Sequence, residues 1–354
     1  MNAPTFPLLQ LPLACFQNVL RIMCPIQLVS FSLLSKKCKN FVKSLKLKAE
    51  PIAIRVDYSI KVFVVIRGAG RPIFVYNFNN FPKNMHSSNE QEVKKQLFVS
   101  KSVSIFFGHL GKIEERYKMI DNQMGVKKWL SHFQSIFHCS KCVRVYFLER
   151  SFKFHVDSLR DLFGNLCELQ ATRHTGSYEF NKLVVQKFHC EQRTLLAPSC
   201  FENSRVPDEF LIPNSKFLNV REENNIPVRL SLNDLLMCNS KNIKCDNLVI
   251  APKEVNKFLK LWMKGANPPL ETFHFHRISI ARDLIDIDVI MKGITYQKMP
   301  QHLKRQLPPT FKTRSIHGGL DIHRIDGVKA TVWFSTEAVR NRFLMVVWHD
   351  YMIQ

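Results

Sequence analysis

Apolar positions between residues 12 and 47 recur at helical spacing in three short bursts, each opened by a residue suited to a helix start. Pro12 and Pro25 stand where a first-turn residue needs no N–H, and Ser35 is placed to cap a third helix. The first predicted helix carries Leu13, Phe16, Leu20 and Met23 on one stripe, and the second carries Leu28, Val29, Phe31 and Ser32. The third places Cys38, Phe41, Val42 and Leu45 at i, i+3, i+4 and i+7. So many apolar side chains on so small a unit imply that some face a partner.

The period then changes. β-Branched and aromatic runs at 52–56, 60–66 and 73–78 are separated by Asp57-Tyr58-Ser59 and by Gly68-Ala69-Gly70-Arg71-Pro72. They predict three strands of an antiparallel meander, with residues 81–91 as a polar loop. From about Gln123 strands alternate with helices: a strand over 143–148, a helical stripe of Val156, Leu159, Leu162, Phe163 and Leu166, and a strand from Glu168 to Ala171. The same succession returns as a strand over 247–250, a stripe of Val255, Phe258, Leu259 and Trp262, and a strand over 270–275. The strand-to-strand spacing of about 24 residues lies in the leucine-rich-repeat range. Pro198, Pro207 and Pro213 are expected to break the repeat between residues 192 and 225. Further on, Leu284, Ile287, Ile290, Met291 and Ile294 predict a helix, followed by a basic, Pro-containing loop over 299–314. Asp326-Gly327 predicts a two-residue hairpin turn between 320–325 and 328–334, closed by a strand over 343–348. The fold class is therefore α+β: an N-terminal three-helix unit, a mixed α/β region of degenerate leucine-rich-repeat-like strand–helix units, and a C-terminal β-hairpin.

Composition narrows the class. A chain of 354 residues with 45% hydrophobic and 23% charged content can bury a sizeable core and suggests two or three domains. No apolar run approaches the roughly 18 residues that a membrane span needs. Met1 to Pro7 has no Lys or Arg, and Gln10, Pro12, Gln17 and Asn18 interrupt the apolar stretch, so no secretion signal or membrane contact is expected. Ten scattered cysteines read as buried free thiols of a cytoplasmic or nuclear protein. Lys and Arg outnumber Asp and Glu by 51 to 29, a formal charge of +22, which favours acidic or phosphorylated partners or nucleic acid.

Catalytic patterns are missing from the sequence. It contains no Walker-type loop, no G-x-S-x-G and no kinase string, and Gly68-Ala69-Gly70 reads as a turn. His138-Cys139-x-x-Cys142 is half of a zinc knuckle, but His189-Cys190 does not supply a second pair at matching spacing, so neither metal nor cofactor is expected. His274 and His276 alternate along one strand and share a face. Six lysines between Ser35 and Lys48, and Lys257, Lys260 and Lys264 on one helix face, read first as solvated surface.

The N-terminal residues Phe6, Leu8, Leu11-Pro12, Val19-Leu20, Met23, Pro25-Ile26, Leu28-Val29, Phe31-Ser32 and Ser35-Lys36-Lys37 resemble an F-box. The opening Phe-Pro-Leu-Leu-x-Leu-Pro string is similar to that of the large nematode-type F-box set that ends in a type-2 F-box-associated domain. Within residues 229–276, Ser231-Leu-Asn-Asp-Leu-Leu, Asn239-Ser-Lys-Asn-Ile and Trp262-Met-Lys-Gly-Ala-Asn-Pro-Pro-Leu-Glu resemble that second domain. Physically, Ser231 and Asp234 are spaced as a capping box, and Gly265 follows the Trp262 turn where a left-handed backbone is needed. The resemblance implies an F-box over 4–48, a β-rich linking region over 50–122, and a substrate-binding region over 123–354. It implies a non-enzymatic substrate-recognition subunit of an SCF-type cullin–RING ubiquitin ligase. Such a chain docks on a Skp-type adaptor, and through it on cullin, while its C-terminal domain holds a protein substrate. The implied adaptor contacts are Leu8, Leu11, Pro12, Val19, Leu20, Met23, Pro25, Ile26, Leu28 and Phe31; the substrate is not legible. The alternatives are a basic nucleic-acid-binding protein, which is disfavoured because the chain lacks an interleaved aromatic–basic strand, or an orphan interaction protein with a non-docking F-box.

Overall fold

The computed structural model describes residues 8–67, 73–78, 102–109, 112–120, 124–172, 177–278, 285–307, 315–336 and 340–349. They divide into two units, Met1–Tyr146 with Lys153–Leu166, and Phe147–Phe152 with Cys167–Gln354. Phe6, the turn over 68–72, the loop over 81–91 and Leu284 lie outside the described residues.

The first unit opens with α1 (Leu13–Ile22), α2 (Pro25–Leu34) and α3 (Lys36–Ser44). Each start has a local chemical cause. Pro12 precedes α1 in extended geometry, and Pro25 is the first residue of α2. The Gln27 side chain accepts the Cys24 N–H at 2.9 Å, and Ser35 Oγ accepts the Cys38 N–H at 3.1 Å. The helices close on Phe16, Leu20, Ile26, Leu28, Val29, Phe31, Cys38 and Val42, all buried. Phe16 meets the rings of Phe31 at 6.0 Å and Phe41 at 4.6 Å.

Next come β1 (Ala53–Val56), β2 (Ile60–Val65), β3 (Ile73–Phe78), β4 (Ser102–His109) and β5 (Lys112–Ile120), paired antiparallel in that order. The meander thus runs on through β4 and β5, beyond the three strands expected. In β5 the string Glu114-Glu115-Arg116 hides strand alternation behind charge. Further on, α4 (Val126–Ile136), β6 (Val143–Phe147) and α5 (Val156–Phe163) follow, with β6 neighbouring β1. Gly164, at φ +66°, ends α5, so Leu166 opens the next strand and does not belong to the helical stripe.

In the second unit β7 (Leu166–Ala171), β8 (Arg193–Leu196) and β9 (Phe217–Val220) lie parallel. A separate parallel pair is formed by β10 (Val228–Arg229) and β12 (Leu248–Val249). The main sheet continues in parallel through β11 (Asn242–Asp246) and β13 (Thr272–Ile278). Beyond β13 it turns antiparallel through β17 (Arg340–Trp348), β16 (Lys329–Thr336), β15 (Ser315–His323) and β14 (Gln297–Gln306). The helices are α6 (Tyr178–Lys187), α7 (Leu232–Met237), α8 (Pro252–Met263) and α9 (Ile287–Met291).

Four expectations change here. Residues 192–225 do not interrupt the parallel order: they contain β8 and β9, and Pro198, Pro207 and Pro213 fall in the 3-10 turns and loops between strands. The sheet strand before α8 is β11, whose Ile243 and Cys245 are buried, whereas Leu248-Val249 belongs to the small pair. The expected loop from Met299 forms most of β14 as far as Gln306, and Pro300 is tolerated there because β14 has a partner on one side only; residues 308–314 of that loop lie outside the described residues. The last predicted helix shortens to α9, capped by Asp286, whose carboxylate accepts the Val289 N–H at 2.9 Å.

The core of the second unit gathers around Phe273, whose ring lies 5.2 Å from Phe258, 5.6 Å from Phe275 and 5.5 Å from Phe343. The hairpin turn forms at Asp326-Gly327, with Gly327 at φ +87° and the Arg324 N–H donating to Val328 C=O. Gly319 on β15 sits at φ +109°, and a Cβ there would meet Thr331 Cγ2 at 2.6 Å. Gly319→Ala is therefore expected to lower stability by about 1–3 kcal/mol, read as a drop in urea midpoint without a change in slope.

Candidate functional site

The three N-terminal helices bury Phe16, Leu20, Ile26, Leu28, Val29, Phe31, Cys38 and Val42, yet they leave other large apolar side chains exposed. Leu9, Leu13, Ile22 and Leu34 are 55%, 61%, 84% and 73% exposed. Exposed Pro12 and half-buried Leu11, Val19, Met23 and Pro25 accompany them. Of the other residues singled out from sequence, Leu20, Ile26, Leu28 and Phe31 are buried. Leu8 begins a 3-10 turn, Leu8–Gln10. Ile22 and Leu34 had a weak sequence signal: each is the last residue of its helix and is apolar where a solvated end favours polar or basic residues.

The helical unit is tied to α4. His132 Nε2 lies 2.7 Å from Ser32 Oγ, and His138 Nε2 lies 2.8 Å from the Lys43 carbonyl. His132 is only 7% exposed; burial, and then the nearby Lys39 ammonium, hold it neutral with a pKa near 4. In the second unit His274 is pushed to about 4 by burial and then by Lys244, while His276 Nδ1 lies 3.4 Å from Asp246. Both histidines have folded pKa values below the unfolded value of about 6.5. Their contribution to stability is present above pH 6.5 and is lost as pH falls toward 4. Melting temperature should fall across that window, and His132→Gln with His274→Gln should flatten the fall.

The Cys139 thiol is pushed up to about 11 by desolvation and donates weakly to Phe133 C=O at 3.9 Å, while Cys142 Sγ lies 3.0 Å from Ser140 Oγ. Among the described residues no group of three His, Cys, Asp or Glu side chains could hold a metal ion. No helix among them is long and apolar enough to cross a membrane.

The second region of interest runs through α7, β11, α8 and β13. Ser231 Oγ accepts the Asp234 N–H, and the Asp234 carboxylate accepts the Ser231 N–H at 2.7 Å and receives Arg205 at 3.2 Å. The buried Asn267 amide donates to the carbonyls of Leu235, Leu236 and Cys238, fixing the turn that leads into β11. Gly265, at φ +105°, ends α8. A cleft of about 430 Å³ in this unit is lined by Val185, Phe188, His189, Cys190, Glu209 and Phe210 among others.

A family model described as the F-box domain matches residues 8–50, and one described as F-box associated matches residues 206–275. The chain carries an F-box and an F-box-associated domain. Both are substrate-adaptor, non-catalytic domains, and F-boxes in general bind the Skp adaptor and, through it, cullin. Over 349 residues the chain is 21% identical to the F-box associated domain-containing protein sdz-33 of Caenorhabditis elegans, covering 99% of this chain and 100% of that one. No solved structure matches. The F-box match coincides with the helical unit and its exposed apolar residues, and the F-box-associated match runs from before β9 into β13 and contains the Ser231–Asp234 cap and the Asn267 turn.

Proposed function

We propose that this chain is a substrate-recognition subunit of an SCF-type cullin–RING ubiquitin ligase. The F-box inserts apolar side chains into the Skp adaptor by helix-in-groove packing. The observation that carries this reading is the exposure of Leu9, Leu13, Ile22 and Leu34 on helices whose other large apolar side chains are mostly buried. Leu8, Leu11, Pro12, Val19, Met23 and Pro25 contribute further contacts, whereas Leu20, Ile26, Leu28 and Phe31 act by holding the helices in place. Ubiquitin transfer is left to other subunits. The region over 123–354 holds the substrate, with its parallel strands arranged as degenerate leucine-rich-repeat-like units that start at Leu166, Arg193, Phe217, Asn242 and Thr272. A net charge of +22 favours an acidic or phosphorylated target. The test is co-expression of the full chain with the Skp adaptor. Co-elution on size exclusion at physiological salt is expected; separate elution of two folded proteins overturns the docking assignment.

A further inference from the structure

A cleft of about 300 Å³ lies between α3 and α4, lined by Lys39, Met124, Lys127, Lys128, Ser131 and His132. Three of these side chains are cationic and none is acidic. The cleft also meets the start of α4, whose N-cap, Gly125, provides no side-chain acceptor and whose first turn contains no acid. Its first N–H groups therefore lack intrahelical acceptors. Two lysines in that turn oppose the positive end of the helix dipole, where a negative charge is the stabilising choice. The local sequence is unfavourable unless something anionic occupies the cleft.

His132 supplies a second, independent observation, because it is 7% exposed yet lines the cleft. The Ser32 hydroxyl donates to Val29 C=O at 2.6 Å, so its oxygen accepts from His132 Nε2–H at 2.7 Å. Nδ1 is left as the ring's remaining polar atom. We propose that this cleft binds a tetrahedral oxyanion of the phosphate class, presented either as free phosphate or as a phosphorylated side chain. Lys39, Lys127 and Lys128 supply the charge, the α4 N-terminus supplies N–H donors, and His132 closes the buried side. An anion here offsets the three lysines that line the cleft, among them Lys39, whose ammonium acts on His132 from α3, while α2 presents the neutral Ser32. Protonation of His132 is then favoured, and Nδ1–H becomes one more donor. This inference does not depend on the ligase reading.

The test is calorimetric titration of the full chain with phosphate, sulfate and O-phosphoserine at fixed ionic strength. Saturable binding of one anion per chain is expected. Lys39→Ala with Lys127→Ala and Lys128→Ala should weaken it by roughly ten-fold or more, while Lys36→Ala with Lys37→Ala and Lys43→Ala, an equal loss of charge, should leave it within about two-fold. Equal weakening by both sets, or no saturation at millimolar phosphate, overturns the proposal. Sulfate does not titrate near neutrality, so its binding near pH 5 should take up a proton in the wild type and not in His132→Gln; a wild type that takes up none overturns the placement against His132. Tighter binding of O-phosphoserine than of phosphate identifies a phosphorylated side chain as the ligand, and the reverse order identifies the free ion.

Discussion

The paired substitution Leu13→Asp and Leu34→Asp is expected to abolish co-elution of the chain with the Skp adaptor while leaving its melting temperature unchanged. Both side chains are more than half exposed, at 61% and 73%, so neither contributes to the core of the helical unit. Buried on a partner, each leucine is worth roughly 1.5–3 kcal/mol, and replacement by a carboxylate adds a desolvation cost. A combined loss of at least about 3 kcal/mol corresponds to a fall in affinity of roughly 150-fold. Leu20→Ala with Leu28→Ala gives the contrasting result. Those residues are 0% and 2% exposed, so binding should weaken only together with a clear drop in melting temperature. Unchanged co-elution of the exposed pair would overturn the proposed docking surface, since no core contact was removed.

Asp321→Ala is expected to cost roughly 3–5 kcal/mol, because it leaves a nearly buried guanidinium without its partner. Asp321, on β15, receives both Arg305 Nη1 at 2.7 Å and Nη2 at 2.9 Å from β14, and the Thr331 hydroxyl of β16 at 2.7 Å. Trp348 Nε1 of β17 donates to Thr331 Oγ1 at 2.8 Å, and Arg305 Nη1 also reaches that oxygen. The four antiparallel strands are thus joined by one polar cluster. Burial pushes the Asp321 carboxyl up, but the hydrogen bonds from Arg305 and Thr331 overcome it and hold the pKa below its ordinary value. The sign follows. Stability from this group is complete above the unfolded carboxylate value of about 3.9 and is lost as pH falls through the lower folded value. Urea titrations should show a steep loss below pH 4 in the wild type and a shallower one in the variant. An unchanged midpoint at pH 7 would mean that the cluster contributes nothing net.

Local chemistry was legible wherever a residue acts on its own backbone or that of a near neighbour. Ser35 caps α3, Ser231 and Asp234 cap α7, Gly265 ends α8, and Asp326-Gly327 turns the β15–β16 hairpin, because each requirement is set within a few residues. The F-box was legible for a related reason: its Leu-Pro string and Ser-Lys-Lys ending are contiguous. The strand–helix succession was only partly legible. β5 is rich in charge, and β8 and β9 lie among prolines, so their strand character comes from neighbours in the sheet and not from their own pattern.

The sequence alone determined the three-helix opening, the helix caps and turns, the mixed α and β content, the strongly basic balance and the F-box signature. Only the tertiary structure decided which leucines of the F-box face out. Leu13 and Leu20 sit on the same predicted stripe, yet one is 61% exposed and the other fully buried. Periodicity states which residues share a face; how far the neighbouring helices cover that face depends on where they cross. The anion cleft has the same origin, since Lys39 and Lys127 are distant in sequence and meet only because α3 packs on α4.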